Sequence, residues 1–259
     1  MAEPDYHAMP DGRRIAFRHA PAVGPADGPN NGPAIVFLPG YMSDMEGGKA
    51  LALFAWAQEH GRECLLLDYS GCGASEGEFA HGTLSRWCEE VLALIEVQLH
   101  AERVILVGSS MGGWLMLLAG LALGDRLVGL VGIAAAPDFT DWGYSAEQKE
   151  QLRAGATLFE DNPYGSQPTP THPAFWSDGE RRRVLDGPVD LGCPVRLLHG
   201  QDDADVPPEI SLRLAAALAS PDVQVTLVKG GDHRLSREGD IALLLRSVSA
   251  LVEPGRTAE

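Results

Sequence analysis

Residues 103–119 read RVILVGSSMGGWLMLLA, so an apolar run passes into a helical pattern through one short turn. The turn is the pentapeptide GSSMG at residues 108–112. A serine on such a sharp strand-to-helix turn adopts a strained backbone conformation. Glycines two residues before and after it keep neighbouring side chains from colliding there. The pattern therefore predicts that Ser110 is presented as a nucleophile at the end of a β-strand.

Short apolar runs alternate with helical patterns along most of the chain. The runs are rich in Val, Ile and Leu, which suits parallel strands that are buried on both faces. The predicted strands are residues 34–38, 63–67, 104–107, 127–133, 195–198 and 223–228. The predicted helices are residues 51–60, 84–99, 113–123, 209–218 and 241–251. With right-handed crossovers, this order predicts an α/β fold with a mostly parallel, doubly wound sheet.

Two regions depart from this alternation. Near the N terminus, the turn dipeptide Asp11-Gly12 precedes a strand pattern at residues 13–17, which predicts an antiparallel edge, and a loop rich in Pro, Gly and Asn follows at 21–33. Residues 138–188 show no strand-helix repeat but contain many aromatic side chains. We interpret them as a small cap insertion within a single domain that spans residues 1–259.

Aromatic side chains in the cap insertion could cover an apolar substrate cleft. The same side chains could instead only attach the insertion to the domain beneath it. The residues that we expect to bind substrate are Trp142, Tyr144, Phe159 and Trp176.

The charge balance restricts the class of partner. Lys and Arg number 20 against 36 Asp and Glu, and the formal net charge of -16 opposes binding to nucleic acid. No apolar run is long enough for a membrane span, and the acidic residues 1–5 are unlike a signal or transit peptide. We therefore predict a cytoplasmic protein. Its four cysteines lack C-x-x-C spacing, which favours reduced structural thiols over metal ligands or disulfides.

A serine hydroxyl becomes an effective nucleophile when an imidazole accepts its proton and a carboxylate orients that imidazole. After an elbow of this type, the acid and then the base follow along the chain, each on a loop after a strand. Residues 199–207 read HGQDDADVP and follow a predicted strand, and we assign Asp203 as the acid. Asp202 and Asp205 in the same loop, and Asp138 after an earlier strand, are the alternatives.

The base is expected in the turn after the last strand. This turn reads GGDHR at residues 230–234, so we assign His233 as the base. We interpret His199 as a structural residue at the end of its strand. The other histidines are expected to be solvated surface residues. They are His7, His19, His60, His81, His100 and His172.

Two backbone N–H groups are expected to stabilise the negative charge that develops on an attacked carbonyl. One belongs to Met111, the residue after the nucleophile at the start of a predicted helix. The other is assigned to Tyr41, in the loop after the strand at residues 34–38, where Gly40 lets the chain curl. The chain has no H-E-x-x-H motif and no phosphate-binding glycine motif after a strand, so we expect neither a metal nor a cofactor.

Several of these segments resemble those of the α/β-hydrolase superfamily and, within it, the acyl-protein thioesterases of mitochondria that are also described as acyl-glucuronide esterases. The segments that carry the resemblance are FLPGYMS at residues 37–43, DYSG at 68–71, VGSSMGGWLML at 107–117, CPVRLLHG at 193–200 and DHR at 232–234. The resemblance implies an α/β-hydrolase fold, and the serine, aspartate and histidine of the family fall on Ser110, Asp203 and His233.

The resemblance implies a serine hydrolase that cleaves carboxylic esters or thioesters through an acyl-enzyme. Its partners would be small acyl esters or thioesters, including an S-acylated protein. Two alternatives remain open: an acyltransferase or C–C hydrolase that uses the same three residues, and a catalytically silent protein that binds a small ligand. The sequence leaves the oligomeric state open.

Overall fold

The structure is a computed structural model that describes residues 3–24, 32–162, 165 and 167–253. Residues 25–31 of the predicted loop at 21–33, and both ends of the predicted domain, lie outside the described residues. Within the described chain, eight strands form one sheet in the spatial order β1-β2-β4-β3-β5-β6-β9-β10. They are β1 (Asp5–Ala8), β2 (Arg14–Ala20), β3 (Ala34–Leu38), β4 (Cys64–Leu67), β5 (Val104–Ser109), β6 (Leu127–Ile133), β9 (Val195–Gly200) and β10 (Val223–Val228).

Helices cover both faces of this sheet. Buried side chains of α1 (Gly48–Glu59) and α8 (Glu238–Val252) pack on one face. Those of α2 (Leu84–Gln98), α3 (Met111–Leu123) and α7 (Glu209–Ala217) pack on the other. The α3 helix is apolar on nearly all sides because it lies between the sheet and the neighbouring α2 helix.

The predicted fold class is confirmed. The strands β4, β3, β5, β6, β9 and β10 pair in parallel in that spatial order, while β1 and β2 form an antiparallel hairpin, and β2 pairs antiparallel with β4. The α/β sheet is thus doubly wound with an antiparallel N-terminal edge. Each predicted strand and helix occurs within a few residues of its expected bounds.

The edge strand β10 corrects one expectation. We predicted burial on both faces, but Gln224, Thr226 and Leu227 of β10 are exposed and its other residues are only partly buried. Because β10 lies at the end of the sheet, it has one neighbouring strand, β9, and its outward face is not covered along its length. The Val-rich composition of residues 223–228 did not distinguish an edge strand from a central strand of the sheet.

The segment that we predicted as a cap insertion lies between β6 and β9. It contains α4 (Phe139–Trp142), α5 (Ala146–Arg153), β7 (Leu158–Glu160), β8 (Thr169–Thr171) and α6 (Pro173–Arg181). The β7 and β8 strands form a small antiparallel ribbon that the sequence pattern did not indicate, because each strand has only three residues. No helix in the described part of the chain has the length and apolar character needed to cross a bilayer.

Candidate active site

Ser110 lies on a strained turn between β5 and α3. Its φ of 54° and ψ of -120° fall in a region that non-glycine residues rarely occupy. Neighbouring glycines make the turn possible: a Cβ on Gly108 would lie 2.3 Å from the Gly112 carbonyl oxygen, and one on Gly112 would lie 2.1 Å from the Leu38 carbonyl oxygen. Hydrogen bonds from the Ser110 amide to Ile133 O (2.9 Å) and from Gly113 N to Ser110 O (2.9 Å) hold the turn in place.

Two hydrogen bonds join Ser110, His233 and Asp203 into one chain. The His233 Nε2 atom lies 3.0 Å from Ser110 Oγ, and His233 Nδ1 lies 2.9 Å from Asp203 Oδ2. This pattern suits the neutral imidazole that donates from Nδ1 to the carboxylate and accepts the serine proton at Nε2. Residues far apart in sequence thus meet at the carboxyl ends of β5, β9 and β10.

The Asp203 side chain is fully buried, yet its charge is well supported. Burial opposes ionisation, but hydrogen bonds from His199 and His233 hold the pKa of Asp203 well below its usual range. Its Oδ1 atom also accepts from the backbone amides of Asp205 and Val206, each at 2.9 Å. Asp203 is therefore an ionised and rigidly held acceptor for the imidazole.

A second histidine contacts Asp203, which the sequence analysis missed. The Nε2 atom of His199 lies 3.2 Å from Asp203 Oδ2 and 2.9 Å from Val206 O. Both neighbours are acceptors, so Nε2 carries a proton, and Nδ1 accepts from Ser211 Oγ at 2.7 Å. His199 ends its strand as predicted, but its ring also donates to the carboxylate. Its spacing of four residues from Asp203 was the available signal.

The alternative acids occupy other positions. Asp138 is buried, and its carboxylate accepts the amides of Val184 (2.8 Å) and Leu185 (2.7 Å). Asp202 is exposed and its amide donates to Gly231 O. Asp205 is exposed as well, although one of its carboxylate oxygens lies within 4.8 Å of ligand atoms of Asp203 and His233.

A cavity of about 850 Å³ opens at Ser110. Ser110 and His233 lie in its wall together with residues of the loop after β3 and of the insertion between β6 and β9. Its wall also carries charge beside the imidazole: Lys49 donates from Nζ to the backbone oxygen of Arg234. Burial, aided by the nearby Arg234 charge, lowers the pKa of Lys49 to about 8. The cavity wall near His233 thus combines the basic side chains of Lys49 and Arg234 with the carboxylate of Asp205.

The two predicted backbone donors border this cavity. Met111 is the first residue of α3, and Tyr41 lies in the loop after β3. This loop runs close to the nucleophile, since a Cβ on Gly40 would lie 3.4 Å from Ser110 Cβ. The Tyr41 side chain turns toward the insertion, where its hydroxyl donates to Pro170 O at 2.9 Å.

The four aromatic residues expected to bind substrate divide into two pairs. Trp142 and Tyr144 line the cavity, and the Tyr144 hydroxyl bonds Thr171 Oγ1 at 2.7 Å. Phe159 and Trp176 do not line it, so substrate contact by these two is not supported. Phe159 is 68% exposed on the β7 strand. Trp176 is buried within the insertion, where its Nε1 donates to the backbone oxygen of residue 140 at 3.1 Å. Helix α6 directs it inward.

All four cysteines are free. Burial raises the pKa of Cys72 to about 12, and those of Cys88 and Cys193 to about 11, and it also raises that of Cys64. The described residues do include two groups with metal-ligand character, one of them formed by Asp203, Asp205 and His233. The other is formed by His19, Glu63 and His100 and lies near the amino-terminal ends of the parallel strands β4 and β5.

Comparisons with known proteins agree with this geometry. Residues 35–245 match the alpha/beta hydrolase family. The mitochondrial palmitoyl-protein thioesterase ABHD10 of Mus musculus is 38% identical over 229 residues, which cover 85% of this chain and 75% of the relative. A solved structure from Agrobacterium vitis S4 superposes with a TM-score of 0.88 at 37% identity, covering 97% of this chain and 100% of that one. The solved alpha/beta hydrolase domain-containing protein 10 from mouse gives 0.86 at 33% identity, covering 97% and 98%.

The prediction of a cytoplasmic location is wrong by this comparison. The matched curated relatives are named as mitochondrial proteins. The expectation rested on the acidic stretch at residues 1–5, and the composition of so short a stretch is a weak guide to cellular location.

Proposed function

This chain belongs to the α/β hydrolase family, and from that premise we propose that it is a serine hydrolase that cleaves acyl thioesters and carboxylic esters. One observation carries the proposal: the unbroken hydrogen-bond chain from Ser110 Oγ through His233 to Asp203. The named activity of the thioesterase relatives supports an acyl thioester as substrate, and an S-acylated protein is the partner that we propose.

In the proposed reaction, Ser110 Oγ attacks the acyl carbonyl carbon while His233 Nε2 takes the hydroxyl proton. The tetrahedral intermediate then collapses. The carbon–sulfur or carbon–oxygen bond breaks, and His233 returns the proton to the departing thiol or alcohol. Water, deprotonated by the same imidazole, attacks the acyl carbon of the acyl-enzyme. The bond from that carbon to Ser110 Oγ breaks, the acid leaves, and His233 returns the proton to Ser110 Oγ. Asp203 stays ionised throughout and stabilises the imidazolium that forms.

The negative oxygen of each tetrahedral intermediate needs fixed donors. We assign these to the backbone N–H groups of Met111 and Tyr41. The support is their position beside Ser110: Met111 begins α3, and Gly40 brings the Tyr41 loop against the nucleophile. Removing one such donor typically costs about 3 kcal/mol of barrier.

We further propose that residues 138–188 act as a cap that shapes the acyl site. Phe139, Trp142 and Tyr144 of this segment line the cavity and present apolar surface to it. Tyr41 connects the cap to the donor loop through its hydrogen bond to Pro170. An acyl chain is apolar and flexible, so a wall of aromatic rings would bind it without requiring directed hydrogen bonds.

The first test targets the nucleophile. A fluorophosphonate probe should label the wild-type protein and should not label Ser110→Ala. Hydrolysis of a p-nitrophenyl ester should fall by about 10⁴-fold or more in that variant, because the remaining groups cannot form the acyl-enzyme. Equal labelling of the two proteins would refute the proposal, and so would full turnover in the variant.

The second test separates the acid from its neighbour. Asp203→Asn should lower kcat by about 10⁴-fold, since an amide cannot hold the imidazole in the required tautomer. Asp205→Asn is the matched control, because Asp205 is in the same loop but exposed. We expect its kcat to stay within a few-fold of the wild type. A larger loss in Asp205→Asn than in Asp203→Asn would reverse the assignment.

A substrate panel tests the acyl class. Acyl-CoA thioesters, p-nitrophenyl esters and acyl glucuronides should be compared by kcat/KM at equal acyl length. We expect turnover of thioesters. Failure on every thioester, with retained ester hydrolysis, would leave an esterase and remove the thioesterase assignment.

A further inference from the structure

A cluster of three side chains lies at the amino-terminal ends of the parallel strands, opposite the ends that carry the candidate active site. It consists of His19, Glu63 and His100. His19 lies near the end of β2, Glu63 directly precedes β4, and His100 follows α2. Ser110 lies beyond the carboxyl end of β5, whereas Glu63 lies at the amino end of the parallel strand β4. The cluster is thus separate from the hydrolytic machinery, and the reaction proposed above does not use it.

Two imidazoles direct a nitrogen at the same carboxylate oxygen. His19 Nε2 lies 2.9 Å and His100 Nδ1 lies 3.1 Å from Glu63 Oε1. The three ligand atoms all lie within 4.8 Å of one another. The rings face each other at a centroid distance of 5.9 Å and an interplanar angle of 24°. Three possible metal-ligand atoms, two ring nitrogens and one carboxylate oxygen, therefore point toward one another.

The backbone fixes the carboxylate in this position. Glu63 Oε1 also accepts the amide of His100 at 2.9 Å, and Oε2 accepts that of Ala101 at 2.8 Å. These two amide bonds hold the carboxylate toward the two imidazole rings.

We propose that His19, Glu63 and His100 bind a zinc ion. Two imidazole nitrogens and one carboxylate oxygen are a known zinc donor set, and a fourth, solvent-facing position would take water. Zinc–nitrogen and zinc–oxygen bonds of about 2.0–2.2 Å place tetrahedral ligands about 3.3 Å apart. The two nitrogen–oxygen separations here are 2.9 and 3.1 Å, so each nitrogen needs to move only slightly away from the oxygen. The two nitrogens lie within 4.8 Å of each other.

The surroundings allow that adjustment and the entry of the ion. The His100 side chain is 83% exposed, so its ring can rotate and the ion can approach from solvent. His19 and Glu63 are held more firmly, with side chains 15% and 2% exposed. The net charge of -16 attracts cations to the molecule in general. The low exposure of His19 and its bond to Glu63 correct the expectation that this histidine is a solvated surface residue. The sequence motifs gave no indication of a metal site at these residues.

Titration calorimetry with zinc chloride, on protein that carries no histidine tag, tests the proposal. We expect a binding event in the wild type that is weakened at least tenfold in His100→Ala and in His19→Ala. Cobalt substitution should give visible absorption bands of low-symmetry coordination in the wild type and lose them in His100→Ala. Magnesium should not compete, because it prefers oxygen ligands.

Two further variants locate the event. His81→Ala is the matched control, since His81 is an exposed histidine near a glutamate, 4.0 Å from Glu78, but outside the cluster. His233→Ala removes the other group with metal-ligand character, in the candidate active site. Binding that persists in both variants and is weakened in His100→Ala supports the proposal. Equal zinc affinity in His100→Ala and wild type, or loss that follows His233→Ala, overturns it.

Ester hydrolysis distinguishes a failed zinc site from a failed fold or a failed function. Because His100 lies outside the cavity and its side chain is exposed, His100→Ala should keep the wild-type rate in the absence of metal. A variant that hydrolyses esters but no longer binds zinc is folded. Its loss of zinc affinity is then caused by the removal of the His100 side chain.

Discussion

His199 is a single side chain on which the geometry of the proposed acid depends. Its ring is fully buried and lies between Ser211 on one side and the Asp203 carboxylate on the other. The donation from Nε2 adds a second imidazole contact to the oxygen that already accepts from His233. We infer that His199 is a positioning residue that acts on the imidazole through Asp203.

Removal of this contact should affect turnover more than binding. We expect His199→Ala to lower kcat by about tenfold, the effect of losing one hydrogen bond to a charged group, while KM changes less than twofold. His199→Gln retains an N–H donor and should recover part of the rate. Steady-state kinetics at a temperature where each variant is folded provides the measurement.

Ser211→Ala is the control for this experiment. It removes the partner on the far side of the ring and leaves the donor to Asp203 in place. Its kcat should remain near that of the wild type. If His199→Ala keeps the kcat of the wild type, then His199 contributes packing alone.

At the scale of the element, the junction of β5 with α3 shows why the turn motif needs glycine. A Cβ on Gly112 would lie 2.1 Å from Leu38 O and 2.4 Å from Pro39 O. Both are backbone atoms of the neighbouring strand and of the donor loop, so neither can move without disturbing the sheet. The glycine requirement thus comes from the contact between two elements as well as from the serine conformation.

Gly112→Ala should therefore destabilise the fold by about 2 kcal/mol or more, and it should also reduce hydrolysis. Gly239→Ala is the matched control, because Gly239 lies in the first turn of α8 and has open space around it. That change should leave stability equal or raise it by up to about 1 kcal/mol. Urea unfolding of both variants measures the difference. Similar losses in the two would contradict the proposed clash.

At the scale of the whole molecule, stability depends on pH through buried carboxylates. The folded pKa of Glu63 is about 2 against an ordinary 4.5, so its contribution is present above about pH 4.5 and is lost as pH falls toward 2. Burial raises the pKa of Asp68 and of Glu90, and these two groups therefore act in the opposite direction. Acid unfolding reports the sum.

Glu63→Gln isolates the first of these contributions. With a chelator present, the wild type should lose up to roughly 3 kcal/mol more unfolding free energy than the variant between pH 6 and pH 2.5. Glu102→Gln removes one exposed carboxylate and is the control. Urea unfolding at several pH values gives the curves. Parallel curves for wild type and Glu63→Gln would show that this carboxylate does not contribute.

The sequence by itself determined the features that depend on local patterns. Runs such as residues 127–133 predict strands because their apolar side chains must be buried, and GSSMG predicts the turn because only glycine fits beside the strained serine. The order of Ser110, Asp203 and His233, each after a strand, predicted the candidate triad, with Asp138, Asp202 and Asp205 left as alternative acids. The resemblance to a family added the class of reaction.

Only the tertiary structure decided which distant side chains meet. Nothing in the local patterns directs Trp142 into the cavity and Trp176 into the insertion, because that depends on how α4 and α6 pack. The second histidine on Asp203 required the loop after β9 to curl back on its own strand. The cluster around Glu63 joins residues 37 and 44 positions away, and such proximity follows from the packing of the entire sheet rather than from any local period.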